Sequence, residues 1–372
     1  MKKKTVKVIV ALAMSLTMAL TCAACGGGKS GGGTVAKESG AASAAAPSAG
    51  SKADGKTYEL TWAGIGSTDA IDTWIGNEIS ARVAKATDDK VQIKVYPASQ
   101  LGDLSQAYDE VISGSIDMGF FTIYGNYDIN TEAVYTPYLT TNYDEFRTLY
   151  SKDGFLYKSI DKIQQDRGVK LLGFWPSGYL GIGFTKLTTP EDKLFDFTTK
   201  KDELIRVPSM DTMMASAKAM GFKTTTINYS DVYTSLQTGV CDGSWNGGAY
   251  ANYQGFRDVL KYYVDYKVCN DVYSCVMNSN KLASLPQEYQ DAIIKISDEV
   301  INEGTEKIAE QEEKSKKDMA DYGLKVIEPT DEQRAEMQKY FFEKVLPGFS
   351  QYYGEDFMNQ LLEEAKKVDA KQ

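Results

Sequence analysis

Cys22 and Cys25, two alanines apart in Cys22-Ala23-Ala24-Cys25, have the C-x-x-C spacing that redox and metal chemistry use. Their surroundings point to another chemistry. Lys2, Lys3, Lys4 and Lys7 form a basic start, an apolar stretch runs from Val8 to about Leu20, and small residues follow to Gly26. That is the layout of a secretory signal, too short and too soon followed by Gly-rich sequence to be a stable membrane span. A cysteine directly after two alanines fits a lipobox, in which Cys25 carries the lipid and becomes the first residue. Cys22 stands where such motifs usually have leucine. No strand–helix context surrounds the pair to favour the redox reading.

Composition removes most other chemistries. The chain contains no histidine, which excludes a Ser-His-Asp triad, an imidazole base and histidine metal ligands. It has no phosphate-cradling Gly-rich loop, no EF-hand spacing and no C-x-x-C in its body. With 51 acidic residues, chance carboxylate pairs are guaranteed, so a pair of acids alone does not indicate a glycosidase. The expectation is a protein that is not an enzyme and uses no cofactor or metal.

Export changes the charge balance. Removing residues 1–24 takes away four lysines and no acids, so the net charge of −10 becomes −14. Such a surface is a poor partner for nucleic acid or an anionic bilayer. Three cysteines remain: Cys241, Cys269 and Cys275. An odd number argues against a disulfide framework, and a chain this long can bury a core without one. They read as small buried hydrophobes, with a Cys269–Cys275 bridge as the alternative. Residues 25–55 are rich in Gly, Ser, Ala and Lys without an apolar period, which makes them a flexible tether. About thirty such residues have a root-mean-square span of roughly 30 Å.

The elements that must position any site begin at residue 56. Tyr58, Leu60 and Trp62 alternate as a strand does; Ile71, Trp74, Ile75, Ile79 and Val83 share a helical face. Val91, Ile93 and Val95 alternate again. Leu104, Ala107, Tyr108, Val111 and Ile112 repeat at three and four up to Gly114, and Ile116 to Phe121 is a continuous apolar strand. A second unit starts near Val169 and includes Leu204-Ile205-Arg206-Val207, a Met-rich helix and a strand before Cys241. Pro286 to Tyr322 reads as one long helix punctuated by Gly304. Alternating strands and helices predict α/β architecture with parallel, doubly wound sheets. The globular length is too great for one ordinary core, so two lobes are expected, with a binding crevice at the carboxyl ends of the strands.

Two motifs are more specific. The first is Tyr96-Pro97-Ala98-Ser99-Gln100-Leu101-Gly102-Asp103, followed by Gly114-Ser115-Ile116-Asp117-Met118. The second is Ile205-Arg206-Val207-Pro208, Gly221, then Tyr229-Ser230-Asp231-Val232-Tyr233-Thr234-Ser235-Leu236-Gln237-Thr238-Gly239-Val240-Cys241-Asp242-Gly243. Together they resemble the solute-binding subunits of tripartite ATP-independent periplasmic (TRAP) transporters, the DctP family, from about Tyr58 to Val368. The tail agrees, with Gly323-Leu324-Lys325-Val326 before Pro329 and a final helical region.

The resemblance implies a two-lobe fold of the periplasmic-binding-protein kind, with a long interlobe helix and a ligand cleft between lobes. Residues 56–177 plus 270–322 would form lobe 1 with the long helix. Residues 178–269 plus 323–372 would form lobe 2 and the C-terminal helices. It also implies an extracytoplasmic lipoprotein, held at the membrane by its lipid. Such a protein would capture a small organic acid and deliver it to the small and large membrane subunits of a TRAP transporter.

The family's characteristic contact, an arginine that pairs with the ligand carboxylate, falls on Arg206. A guanidinium suits that role because it is planar, always charged and donates two parallel hydrogen bonds. Asn246, Tyr229, Asp103 and Thr122 carry over as further ligand-facing positions, and Trp175, Tyr124 and Trp245 as cleft walls. Two departures mark the pocket. Some acidic-sugar binders carry a second arginine in the segment equivalent to Gly178-Tyr179-Leu180-Gly181, where this chain has Leu180. Ser244-Trp245-Asn246-Gly247-Gly248 also replaces the more usual Gln, Glu, Asn, Pro order. The alternatives are a lipoprotein of an ATP-driven importer and a ligand sensor.

Overall fold

A computed structural model describes residues 56–369, except Tyr124 and the side chains of Leu104, Ser105 and Asp369. The secretory signal, Cys25, the tether and Tyr124 therefore lie outside the described residues.

The first fifth or so of the described chain alternates β1 (Tyr58–Ala63), α1 (Ile71–Ala86), β2 (Val91–Tyr96), α2 (Leu104–Ser113) and β3 (Met118–Phe121). Then come α3 (Tyr143–Leu149), α4 (Phe155–Gln165), β4 (Val169–Tyr179), β5 (Gly181–Phe184), α5 (Glu191–Leu194), β6 (Leu204–Val207), α6 (Asp211–Ala219) and β7 (Lys223–Thr226). The middle closes with α7 (Val232–Thr238), β8 (Gly243–Gly247), α8 (Ala249–Phe256), β9 (Tyr262–Val264) and β10 (Asn270–Asn278). The last part is mostly helical: α9 (Ser279–Ala283), α10 (Gln287–Tyr322), β11 (Lys325–Ile327), α11 (Asp331–Tyr340), α12 (Ser350–Tyr353) and α13 (Glu355–Asp369).

Local chemistry accounts for the early elements. Ile71, Ile75, Ile79 and Val83 recur every fourth residue and are all buried, so α1 has one apolar face. Asp103 caps α2 by accepting from the Gln106 N–H (3.1 Å), and Gly114 ends it in the left-handed conformation (φ 85°).

Two sheets result, in the orders β2-β1-β3-β10-β4 and β11-β9-β5-β8-β6-β7. They are not purely parallel, contrary to the expectation from alternation. β10 runs antiparallel to β3 and β4, and β5 antiparallel to β8 and β9. Each reversed strand enters directly from the other sheet: β4 passes into β5 through Leu180 alone, and a short segment joins β9 to β10. The two crossings lie side by side, with the Leu180 N–H donating to the Cys269 carbonyl (2.8 Å). The segment before Cys241, expected as a strand, is helix α7. Val232 and Leu236 bury one face, Gly239 caps the helix at φ 74°, and the strand follows the cysteine as β8. All three body cysteines are buried and free.

Helix α10 is continuous for 36 residues, about 54 Å at 1.5 Å per residue. It packs on α1 and β4 at one end and reaches α8 and β11 farther along. Gly304 does not interrupt it. A Cβ there would lie 2.4 Å from Ile75 Cδ1 and 3.2 Å from Trp175 Nε1, so the glycine permits close packing. The final helix α13 buries Met358, Leu361, Ala365 and Val368 and packs against α3 and α4. The chain's end thus returns to elements before residue 178, whereas the expected boundaries grouped it with the second lobe.

Candidate ligand-binding cleft

Arg206 is placed by strand alternation. Its neighbours Ile205 and Val207 are fully buried in the core, so the arginine leaves β6 on the opposite face. Pro208 ends the strand by removing a backbone donor. Arg206 as a residue is 3% exposed. Its Nε donates to the Ile227 carbonyl (2.8 Å), and its Nη1 to the Trp245 carbonyl (3.4 Å) and Asn246 Oδ1 (3.3 Å). Since β7 and β8 flank β6 in parallel, the ends of both neighbours grip the guanidinium. Asn246 Oδ1 also accepts from Ser244 Oγ. The other end of that amide, Nδ2, is buried without a partner among the described residues.

Arg206 lines two spaces, and a third adjoins them through shared wall residues. An inner chamber of about 40 Å³ is lined by Arg206, Asn246, Thr122, Leu180, Asp271 and Tyr273, among others. It holds roughly three water-sized spheres. An outer groove of about 500 Å³ adds Ser99, Asp103, Asn126, Ser209 and Asn228. An alcove of about 240 Å³ is walled by Asp72, Trp175, Ser177, Tyr250 and Tyr273. Ile65 and the half-exposed Tyr229 line all three, so these two side chains stand where the spaces meet. About half of the lining residues follow the carboxyl ends of parallel strands, among them Ile65 after β1, Ser99 and Asp103 after β2, Thr122 after β3, Ser209 after β6 and Tyr229 after β7. That is the crevice position expected of α/β sheets.

The residues singled out from sequence therefore converge. Arg206, Asn246, Thr122, Trp245 and Tyr229 line the inner chamber together. Asp103 lines the outer groove beside Arg206, although its carboxylate also caps α2. Trp175 lines the alcove and packs on Phe120 and Tyr273, so it serves core and cleft at once. Leu180, in the segment where some acidic-sugar binders carry a second arginine, lines the inner chamber.

Sequence reasoning missed Asp271, Asp72, Tyr273 and Tyr250. Asp271 accepts from Ser177 Oγ (2.8 Å). Burial pushes its carboxyl up to about 6, against the pull of the Ser177 bond and the Arg206 charge. Asp72 accepts from the Gly66 N–H (2.9 Å), and burial raises it too. No spacing signal could have separated these two from the other acids. The neighbour of Arg206 across the two crossing strands is visible only in three dimensions.

The sequence from residue 70 to 349 matches the family model described as bacterial extracellular solute-binding protein, family 7. This chain belongs to that family. Family 7 relatives include the sialic acid-binding periplasmic protein SiaP of Vibrio cholerae, 29% identical over 42% of this chain and 47% of that protein. The C4-dicarboxylate-binding periplasmic protein DctP of Rhodobacter capsulatus is 26% identical over 68% of this chain and 74% of its own length. The chain thus spans about half of the first and three quarters of the second. The fold agrees with a TRAP periplasmic solute-binding protein of Desulfovibrio salexigens, solved with bound orotic acid. Its TM-score is 0.74 at 22% identity, covering 84% of this chain and all of that one.

Proposed function

We propose that this family 7 protein captures a small organic acid outside the cytoplasm and delivers it to the small and large membrane subunits of a TRAP-type transporter. The observation that carries this reading is the pairing of a buried guanidinium, Arg206, with an unpartnered amide donor, Asn246 Nδ2, in one chamber. A carboxylate is the group such donors complement, through charge-assisted and bidentate bonds. Relatives named for sialic acid and C4-dicarboxylates, and a structure with orotic acid, support the same ligand class.

On this reading the two sheets are the two lobes, with hinges where β4 passes into β5 and β9 into β10. Arg206, Asn246, Tyr229, Thr122, Trp245 and Asp103 contact the ligand, and Trp175 walls the cleft. The role is capture and not catalysis, with no cofactor. Cys25 carries a lipid that tethers the body to the membrane through residues 25–55.

A thermal-shift screen tests the ligand class, because a solute that binds only the folded protein stabilises it by mass action. Small carboxylates are expected to raise the melting temperature. Shifts confined to neutral sugars or metal ions would contradict the assignment.

A further inference from the structure

The charge around the cleft is unbalanced for a purely anionic solute. Among the described lining residues the one cation is Arg206; Asp271 shares the inner chamber with it, Asp103 the outer groove, and Asp72 lines the adjoining alcove. Leu180 occupies the inner chamber in place of a further cation. A dianionic ligand would leave its second charge beside like charges in a confined space, where repulsion is poorly screened.

The acids are also distributed with direction. Asp271 shares the inner chamber with Arg206 and Asn246, and is oriented by Ser177 Oγ (2.8 Å). Ser177 in turn lines the alcove, whose walls are Asp72 and the rings of Trp175, Tyr229, Tyr250 and Tyr273. Carboxylates framed by aromatic faces are the surroundings that a cationic ammonium prefers, through ion pairing and cation–π attraction. Asn246, 8% exposed with Nδ2 unpartnered among the described residues, supplies a donor beside Arg206 in the same chamber.

Building on the organic-acid reading, we propose that the cleft selects zwitterions: solutes of the amino-acid, imino-acid or betaine class. Their carboxylate meets Arg206 and Asn246, and their ammonium group meets Asp271 and the aromatic alcove. Asp271 is the specificity-determining residue of this arrangement.

Matched pairs that differ only in the cationic centre provide the test. Glycine betaine and 3,3-dimethylbutanoate have one shape, as do proline and cyclopentanecarboxylate. A thermal-shift screen of the standard amino acids, betaines and their deaminated or carbon-for-nitrogen counterparts, with succinate as a dianion, is followed by calorimetry on the hits. Zwitterions are expected to bind at least tenfold more tightly than their counterparts. Asp271→Asn, which keeps the shape and the Ser177 bond, is expected to weaken a zwitterion roughly 30-fold or more. It should leave the plain carboxylate unchanged or tighter.

The proposal is overturned if no zwitterion binds, if succinate or the plain acid binds more tightly than its zwitterionic partner, or if Asp271→Asn tightens both members of a pair. Plain acids that bind in an Arg206-dependent way would sink the zwitterion proposal and leave the organic-acid reading standing. An amine without a carboxylate that binds equally to the parent and to Arg206→Ala would remove both.

Discussion

Arg206 Nη1 donates to Asn246 Oδ1 across 3.3 Å, and Ser244 Oγ shares the same acceptor. The amide is thereby oriented with its oxygen engaged and only Nδ2 left to offer. Asn246→Asp should turn this donor into a carboxylate that competes with the ligand for Arg206. A loss of affinity of at least about 100-fold is expected in calorimetry, corresponding to about 2.7 kcal/mol. Asn246→Ala should lose only the donor, about tenfold. Equal effects of the two variants would argue that the amide does not face the ligand.

Glu312 of α10 lies against the start of α8, accepting from the Tyr250 N–H (2.8 Å) and the Ala249 N–H (3.2 Å). Gly178 and Gly248 make room for it, since a Cβ on either would come within 3 Å of its carboxylate. Burial raises its carboxyl to about 8, with Asp265 acting in the same direction. A raised folded-state value means that the native protein holds this proton more tightly than the unfolded chain. The stabilisation is complete below the unfolded carboxyl range near 4.5 and is lost as pH rises towards about 8. The slope is at most about 1.4 kcal/mol per pH unit. Denaturation curves across that window should show the decline in the parent and a flatter profile in Glu312→Gln. Parallel profiles would contradict the assignment.

The contact of Gly304 with Ile75 makes a steric prediction. Gly304→Val should lower stability by about 1–3 kcal/mol through overpacking between α10 and α1. An unfolding free energy from guanidinium denaturation within about 0.5 kcal/mol of the parent would show that the interface can yield.

Anchoring can be tested apart from binding. Cys25→Ser should release the protein from the membrane fraction, because stable attachment takes two acyl chains and the described residues contain no helix able to cross a bilayer. Retention after a salt wash, together with an unlipidated mass for the parent, would exclude the lipid anchor.

Legibility from sequence followed the physics of each signal. Periodicity located α1, α2, β1 and β2 because their burial is one-sided. Strand direction was hidden: residue type in β5 and β10 carries no mark of orientation, which is set by the sheet each strand enters, so their antiparallel pairing was not foreseen. Gly304 read as punctuation because glycine weakens isolated helices, whereas tertiary contact with Ile75 decides its presence here. Arg206 and Asn246 stood out through the family resemblance of the motifs around them. Asp271 and Asp72 did not, because an acid gains meaning only from what it faces.

The central claim is that Arg206 receives the ligand's carboxylate. Removing one partner of a buried, hydrogen-bonded charge pair costs about 2–5 kcal/mol, so Arg206→Ala should weaken the tightest acid found in the screen by roughly 30- to 3,000-fold. Arg206→Lys, which keeps charge without the two-pronged geometry, should fall between. Isothermal titration of the parent and the folded variants, with circular dichroism as the control on folding, decides the matter. The account predicts that graded loss. A folded Arg206→Ala protein binding within about threefold of the parent would contradict it, since that difference is worth less than 1 kcal/mol, roughly.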